Sequence, residues 1–187
     1  MKTMTLLGML LIGGTFSTFA QKSEIKLNES AVKWTGNKIG GSHEGEIQIK
    51  SGYFELKDGD ITSGEVVMDM NTITNTDIKD EGYNQKLVGH LKSDDFFGVE
   101  NFPTSTFVVS SASKFEEGKA KVSGTLTIKG KTESIFFDLF KKGNEYSAQL
   151  KVDRSKYNVR YGSNSFFDNL GDKAIDDIFI LEIKLVL

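Results

Sequence analysis

The chain has 187 residues, 26 Asp and Glu against 23 Lys and Arg, a formal charge of -3, two histidines and no cysteine. That length fits one domain with a sizeable core. The missing cysteines exclude disulfides, thiolate metal sites and a cysteine nucleophile, and the mildly acidic balance argues against nucleic acid, whose binders need a basic face.

Residues 1–20 read as a secretory signal peptide. Lys2 is a minimal positive region, Leu6 to Ile12 is apolar, and Thr18 and Ala20 offer small residues for cleavage. Removing them leaves a domain over residues 21–187 with 22 basic and 26 acidic side chains, a charge of -4. With no cysteine to lipidate, a lipoprotein is not expected. No later stretch is apolar for long enough to span a bilayer as a helix, so stable membrane insertion is not expected either. A soluble, exported, periplasmic protein is the expectation.

Gln21 to Glu29 is polar and reads as a loose lead-in. Ser30 to Gly36 alternates, with Val32 and Trp34 on one face, and Asn37 to Ser42 is a Gly-rich turn. Glu44 to Lys50 alternates again through Ile47 and Ile49, and Ser51-Gly52 reads as a turn into Tyr53 to Leu56, which carries Phe54. Lys57-Asp58-Gly59-Asp60 is a hairpin signal, because Asp and Gly tolerate the positive φ of tight turns. Ile61 to Ile73 follows, with Val66, Met68 and Met70 on one side.

Between Asp77 and Lys92 the period changes to that of a helix, with Tyr83, Leu87 and Leu91 four apart and Asp77 or Asp80 as the cap. Then Gly89 to Phe107 breaks the pattern: Phe96, Phe97 and acidic residues crowd together before the only proline, Pro103. An irregular, aromatic insert in a strand-rich chain suggests a lid. Strand-like alternation resumes over Thr104 to Ser111 with Phe107, Lys119 to Lys129 with Leu126, Thr132 to Lys141 with Phe137, and Tyr146 to Asp153 with Leu150. Arg154 to Asp176 is mixed. Asp177 to Leu187 is a clear strand with Phe179, Leu181 and Ile183 on one face.

Eight or nine strands with a polar and an apolar face must close on themselves or fold over to bury the apolar one. The expected fold is all-β: an antiparallel up-and-down barrel of about eight strands with one or two short helical inserts, and a sandwich as the alternative.

Chemistry is sparse. His43 and His90 lack the partners at short spacing that a metal site wants, and no G-x-S-x-G, Rossmann or P-loop pattern is present. No catalytic residue and no metal are therefore expected. A cavity is better supported, because barrels of about eight strands can hold one ligand. The inward face reads as Val32, Trp34, Ile47, Ile49, Phe54, Met68, Met70, Phe107, Leu126, Phe137, Leu150, Phe179, Leu181 and Ile183, with Leu87, Leu91, Phe96 and Phe97 closing the mouth. Alternation alone does not separate a hollow barrel from a packed one.

His90-Leu91-Lys92-Ser93-Asp94-Asp95-Phe96-Phe97, then Phe102-Pro103 and Thr106-Phe107, resembles the hallmark of the YceI-like family. Gly41-Ser42-His43-Glu44-Gly45, Gly124 to Gly130 and Asp153-Arg154-Ser155 match in the expected order. The family's Asp-Arg-Ser segment usually runs into Phe-Gly, whereas Lys156-Tyr157-Asn158 stands here, and Gly98-Val99 replaces the usual Asp-Val. The resemblance implies a lipocalin-like barrel, exported to the periplasm, that binds a polyisoprenoid lipid such as a quinone or polyprenyl chain and requires no cofactor. His90 and Arg154 are then candidates for meeting a polar or phosphate head group. The expected role is that of carrier or buffer, with a homodimer left open. The competing readings are a hydrolase or other enzyme acting on a lipid or ester near His90, and a ligand-free structural barrel.

Overall fold

The computed structural model describes residues 20–187; the signal peptide read in residues 1–20 lies almost wholly outside that range. The strands are β1 (Gln21–Glu24), β2 (Ala31–Lys38), β3 (Gly41–Lys57), β4 (Asp60–Asp69), β5 (Thr104–Ala112), β6 (Lys119–Ile128), β7 (Lys131–Lys142), β8 (Glu145–Asp153) and β9 (Ile175–Val186), with one α-helix, α1 (Glu81–Lys92). Each strand from β2 to β9 pairs antiparallel with the next, and β9 pairs back onto β2, so the eight close into the up-and-down barrel that the alternation predicted. Closure follows from the residues. Each strand carries one apolar face, and a closed sheet buries all of those faces together while leaving no long edge exposed.

Two local readings change. The polar lead-in is ordered: β1 pairs with Tyr53 to Leu56 of β3, and Ile25 is buried just after it. Four residues are too few for alternation to show. The Ser51-Gly52 turn is instead a register shift inside one 17-residue strand, between Ile49 and Ser51. A side chain at Gly52 would place its Cβ 2.6 Å from Ile25 Cδ1 and 3.0 Å from the Glu65 carbonyl oxygen. The glycine is there for close approach at a bulge.

The hairpin at Asp58-Gly59 forms as expected, with both residues at positive φ (55° and 88°). The helix lies within the expected stretch, and of its two candidate caps Asp80 is the one that acts, its side chain accepting from Tyr83 N–H at 2.9 Å. Tight turns join the strands at one end, hereafter the base. At the other end, the mouth, the connections 70–103 and 154–174 carry α1 and the short 3-10 turns Met70–Thr72, Arg154–Tyr157 and Gly171–Lys173.

Candidate functional site

The barrel is hollow. Its interior holds a void of about 160 Å³. An engineered apolar cavity of about 150 Å³ takes a benzene, so the void has room for about six carbon atoms. The wall is apolar apart from Gly36, Ser105, Arg154 and Asp176. Nothing in it offers water the two to four hydrogen bonds that hold it in a cavity, so the space suits hydrocarbon.

Of the inward face read from the sequence, Val32, Trp34, Ile47, Phe54, Met68, Met70, Phe107, Leu126, Phe137, Leu150, Phe179, Leu181 and Ile183 line the void, and so do Leu91, Phe96, Phe97 and Arg154. Ile49, Leu87 and His90 do not. Ile49 is buried in the core beside the bulge, and Leu87, one turn before Leu91 on the same face of α1, packs on the core without reaching the void. Val122, Ile128, Leu139, Ala148 and Leu185 also line it. The alternation of their strands signals this too. Ser105 and Asp176 had no signal in the sequence.

The mouth is closed by the aromatic insert. Phe96 and Phe97 meet edge-on at 5.0 Å, and Phe97 meets Phe179 of β9 at 6.5 Å. Lys129, in the turn after β6, holds the insert down by donating to the carbonyls of Asp94 (2.7 Å) and Phe96 (2.6 Å). Partial burial lowers the Lys129 pKa, while Asp94 and Asp95 oppose that shift.

Arg154 stands beneath Phe96, 5.4 Å from its ring centre, and is 2% exposed. Its Nε donates to the Asp176 carbonyl, Nη1 to the carbonyls of Val159 and Tyr161, and Nη2 to that of Ile175, all at 2.8–3.0 Å. Asp177 Oδ1 lies 3.4 Å from Nη2. The guanidinium's five N–H groups are thus directed at the protein, and the expected phosphate contact gives way to a structural role. Arg154 staples the 154–176 connection to the barrel rim. Burial lowers its pKa, and Asp177, Asp153 and Asp176 counter that. Tyr157, one turn on, is buried, and that burial together with Glu133 and Asp153 pushes its pKa up to about 12.

His90 sits on the outer side of this lid. Its ring packs against Tyr161 at 4.2 Å and Phe96 at 5.9 Å, both edge-on, and its buried Nε2 has no hydrogen-bond partner among the described residues. A general base needs an orienting partner and access to substrate; His90 shows neither.

His43 is on β3 rather than in a turn, and its Nδ1 lies 2.9 Å from Asp77 Oδ2. Asp77, read as an alternative helix cap, instead also accepts from Glu44 N–H and from the Asn75 amide. Burial raises its pKa, but the Glu44, His43 and Asn75 hydrogen bonds outweigh that and hold it at about 2. This clamp fixes the chain before α1 onto β3. Close by, Trp34 Nε1 donates to the Thr74 carbonyl at 3.0 Å, and a Cβ at Gly45 would stand 1.9 Å from that same oxygen. Glycine is required for the 70–80 segment to cross the barrel there. Among the described residues no cluster of three metal-ligating side chains occurs, and no helix is long and apolar enough to cross a membrane.

Comparison with known proteins agrees with this geometry. The model of the YceI-like domain matches residues 22–187. A UPF0312 protein of Staphylococcus aureus strain USA300 is 37% identical over 111 residues, which span 53% of this chain and 61% of that protein. Among solved structures, Burkholderia cenocepacia BcnA superposes with a TM-score of 0.64 at 24% identity, covering 87% of this chain and 99% of BcnA. A polyisoprenoid binding domain from Saccharophagus degradans, implicated in plant cell wall breakdown, gives 0.61 at 15% identity, covering 89% and 97%. The Campylobacter jejuni YCEI protein gives 0.52 at 20% identity, covering 98% and 96%. At these identities the superpositions establish the fold.

Proposed function

The chain belongs to the YceI-like family, and from that premise we propose that it is an exported periplasmic protein which holds the tail of a polyisoprenoid lipid, a quinone or a polyprenyl chain, as carrier or buffer and without catalysis. The observation that carries this reading is the void itself: a closed barrel whose interior is empty and apolar, under an aromatic lid. The fold shared with the polyisoprenoid binding domain of Saccharophagus degradans supports the choice of ligand class. The sequence of residues 1–20 supports export.

Room for about six carbon atoms corresponds to about one five-carbon unit, which at about 0.8 kcal/mol per apolar carbon group gives roughly 4 kcal/mol gross. Association costs at least about 4 kcal/mol, so micromolar affinity, about 8 kcal/mol net, requires about two further units to be covered by side-chain movement or outside the void. Such affinity arises from tail burial and predicts weak discrimination between head groups.

Organic extraction of protein purified from its native host, followed by mass spectrometry, should recover an isoprenoid lipid. Trp34, the only tryptophan, lines the cavity, so a short-chain quinone should quench its fluorescence saturably. No extractable lipid together with no saturable quenching would refute the proposal and leave the ligand-free barrel.

A further inference from the structure

The barrel wall is not uniform. Seven of its eight seams carry five or more paired residues, but β7 and β8 pair only at Phe140–Ser147, Lys141–Tyr146 and Lys142–Glu145, next to their hairpin. Beyond that point the two strands diverge, and the turn Arg154–Tyr157 packs against the far end of β7. Between hairpin and turn lies a window in the wall, a cleft of about 380 Å³ lined by residues 135–138, 140 and 149–151. Phe137 and Leu150 line both this cleft and the central void. Two side chains are all that the two spaces share as a partition.

Outside the window two aromatic rings stand exposed among the polar side chains of Asp138, Gln149 and Lys151. Phe136 is 88% exposed and Phe140 49%. Exposed rings on a sheet normally pair with cross-strand neighbours; Phe140 has Ser147 across the seam and Lys119 Nζ 5.6 Å from its ring centre, but at Phe136 the β8 neighbour has moved away. Backbone groups left without a ladder and bare aromatic rings together make a costly gap in a barrel whose other seams are closed.

We propose that this window is a lateral portal, through which the distal part of the apolar chain held in the void leaves the barrel and lies across Phe136 and Phe140. The occupant is set by continuity and by size. Only Phe137 and Leu150 separate the cleft from the central cavity, and that cavity, at about 160 Å³ close to one that takes a single benzene, is too small for a long tail, so the rest of it must emerge. The mouth end is covered by Phe96, Phe97 and the Arg154 staple, whereas the window has no ring-to-ring lock across it. The inference rests on the lipid-cavity reading above and adds a length dependence to it.

The chain's lack of cysteine makes a single label clean. Gln149→Cys, exposed and in the window but not in the void, would carry a polarity-sensitive fluorophore while Trp34 reports occupancy of the cavity. Geraniol, with two isoprene units, and an eight-unit polyprenol would each be presented in phosphatidylcholine vesicles. Both should perturb Trp34, but only the eight-unit chain should shift the label. Phe136→Ser should weaken the eight-unit chain about tenfold and leave geraniol unchanged. Equal label responses to the two chains, no label response to either, or a Phe136→Ser effect that is the same for both or absent, would overturn the portal while sparing the cavity. If neither prenol perturbs Trp34, the cavity reading fails and the portal with it.

Discussion

The base and the mouth of the barrel are both closed by aromatic rings beside a cation, but from different material. At the base, Phe54 and Phe115 flank Tyr146 at 5.8 and 5.9 Å, and Lys141 lies over the Phe115 and Tyr146 rings while donating to the Gly59 carbonyl. These groups sit on strands or next to tight hairpins, so the plug is part of the sheet. At the mouth, Phe96 and Phe97 belong to an insert that touches the barrel through side chains and through Lys129 and Arg154. One end is closed by the ladder and the other by tethers. Tethers open at lower cost than ladders do, because local opening draws on the segments with fewest buried contacts. On the proposed lipid-binding reading, passage for a ligand belongs at the mouth and the β7–β8 window rather than at the base.

The sharpest way to break this contrast is to cut the staple. Arg154→Ala would leave four backbone carbonyls without their donor, and Asp177 without its ion-pair partner, in a buried site. It should destabilise the protein by about 3–5 kcal/mol, read as a fall in the urea midpoint. Arg154→Lys, which keeps the charge but not the planar fork, should recover only part of that. Retention of wild-type stability by the alanine variant would show that the connection is held by something else. Tyr146→Ala at the base should cost about 3–4 kcal/mol through the cavity it leaves, with little effect on ligand exchange. Release rates that rose as much as stability fell would make the base a second gate.

Phe97→Ala should reverse that pattern. The ring is half-buried and packs on Phe96 and Phe179, so its loss should cost about 1–2 kcal/mol of stability and speed release of a bound quinone about tenfold, followed through Trp34. This asymmetry also explains which parts of the molecule were legible in the sequence. The barrel was, because period-2 alternation states directly which residues face inward, and thirteen of the fourteen strand residues so read line the void, all but Ile49. Residues whose work is done through backbone atoms gave no such signal. Arg154 looked like a phosphate ligand because its carbonyl partners are invisible in sequence. His90 sits in the family hallmark yet does not line the void. Gly52 imitates a turn, since a glycine at a close approach and a glycine at a reversal look the same in one dimension. The divergence of β7 from β8 was equally hidden: both strands alternate well, and nothing in their residues says that they stop pairing.

The smallest expected effect tests whether the clamp before α1 is one of the mouth's tethers. The folded Asp77 carboxyl, at about 2, is depressed below its ordinary 3.8. A depressed acid stabilises the fold above its unfolded pKa, and that contribution is lost as pH falls toward the folded value. With the side chain about 30% exposed, solvent screening reduces the contribution to about 1 kcal/mol. Stability measured by urea at about pH 5 and about pH 2 should therefore fall by about 1 kcal/mol more in the wild type than in Asp77→Asn, which has no carboxyl to protonate. Quinone release should quicken over the same interval in the wild type, because protonation loosens the chain that leads into the lid. Equal acid sensitivity of the two proteins would remove Asp77 from the tethers. Acid-sensitive stability with unchanged release would instead place the clamp in the rigid barrel, with the base rather than with the mouth.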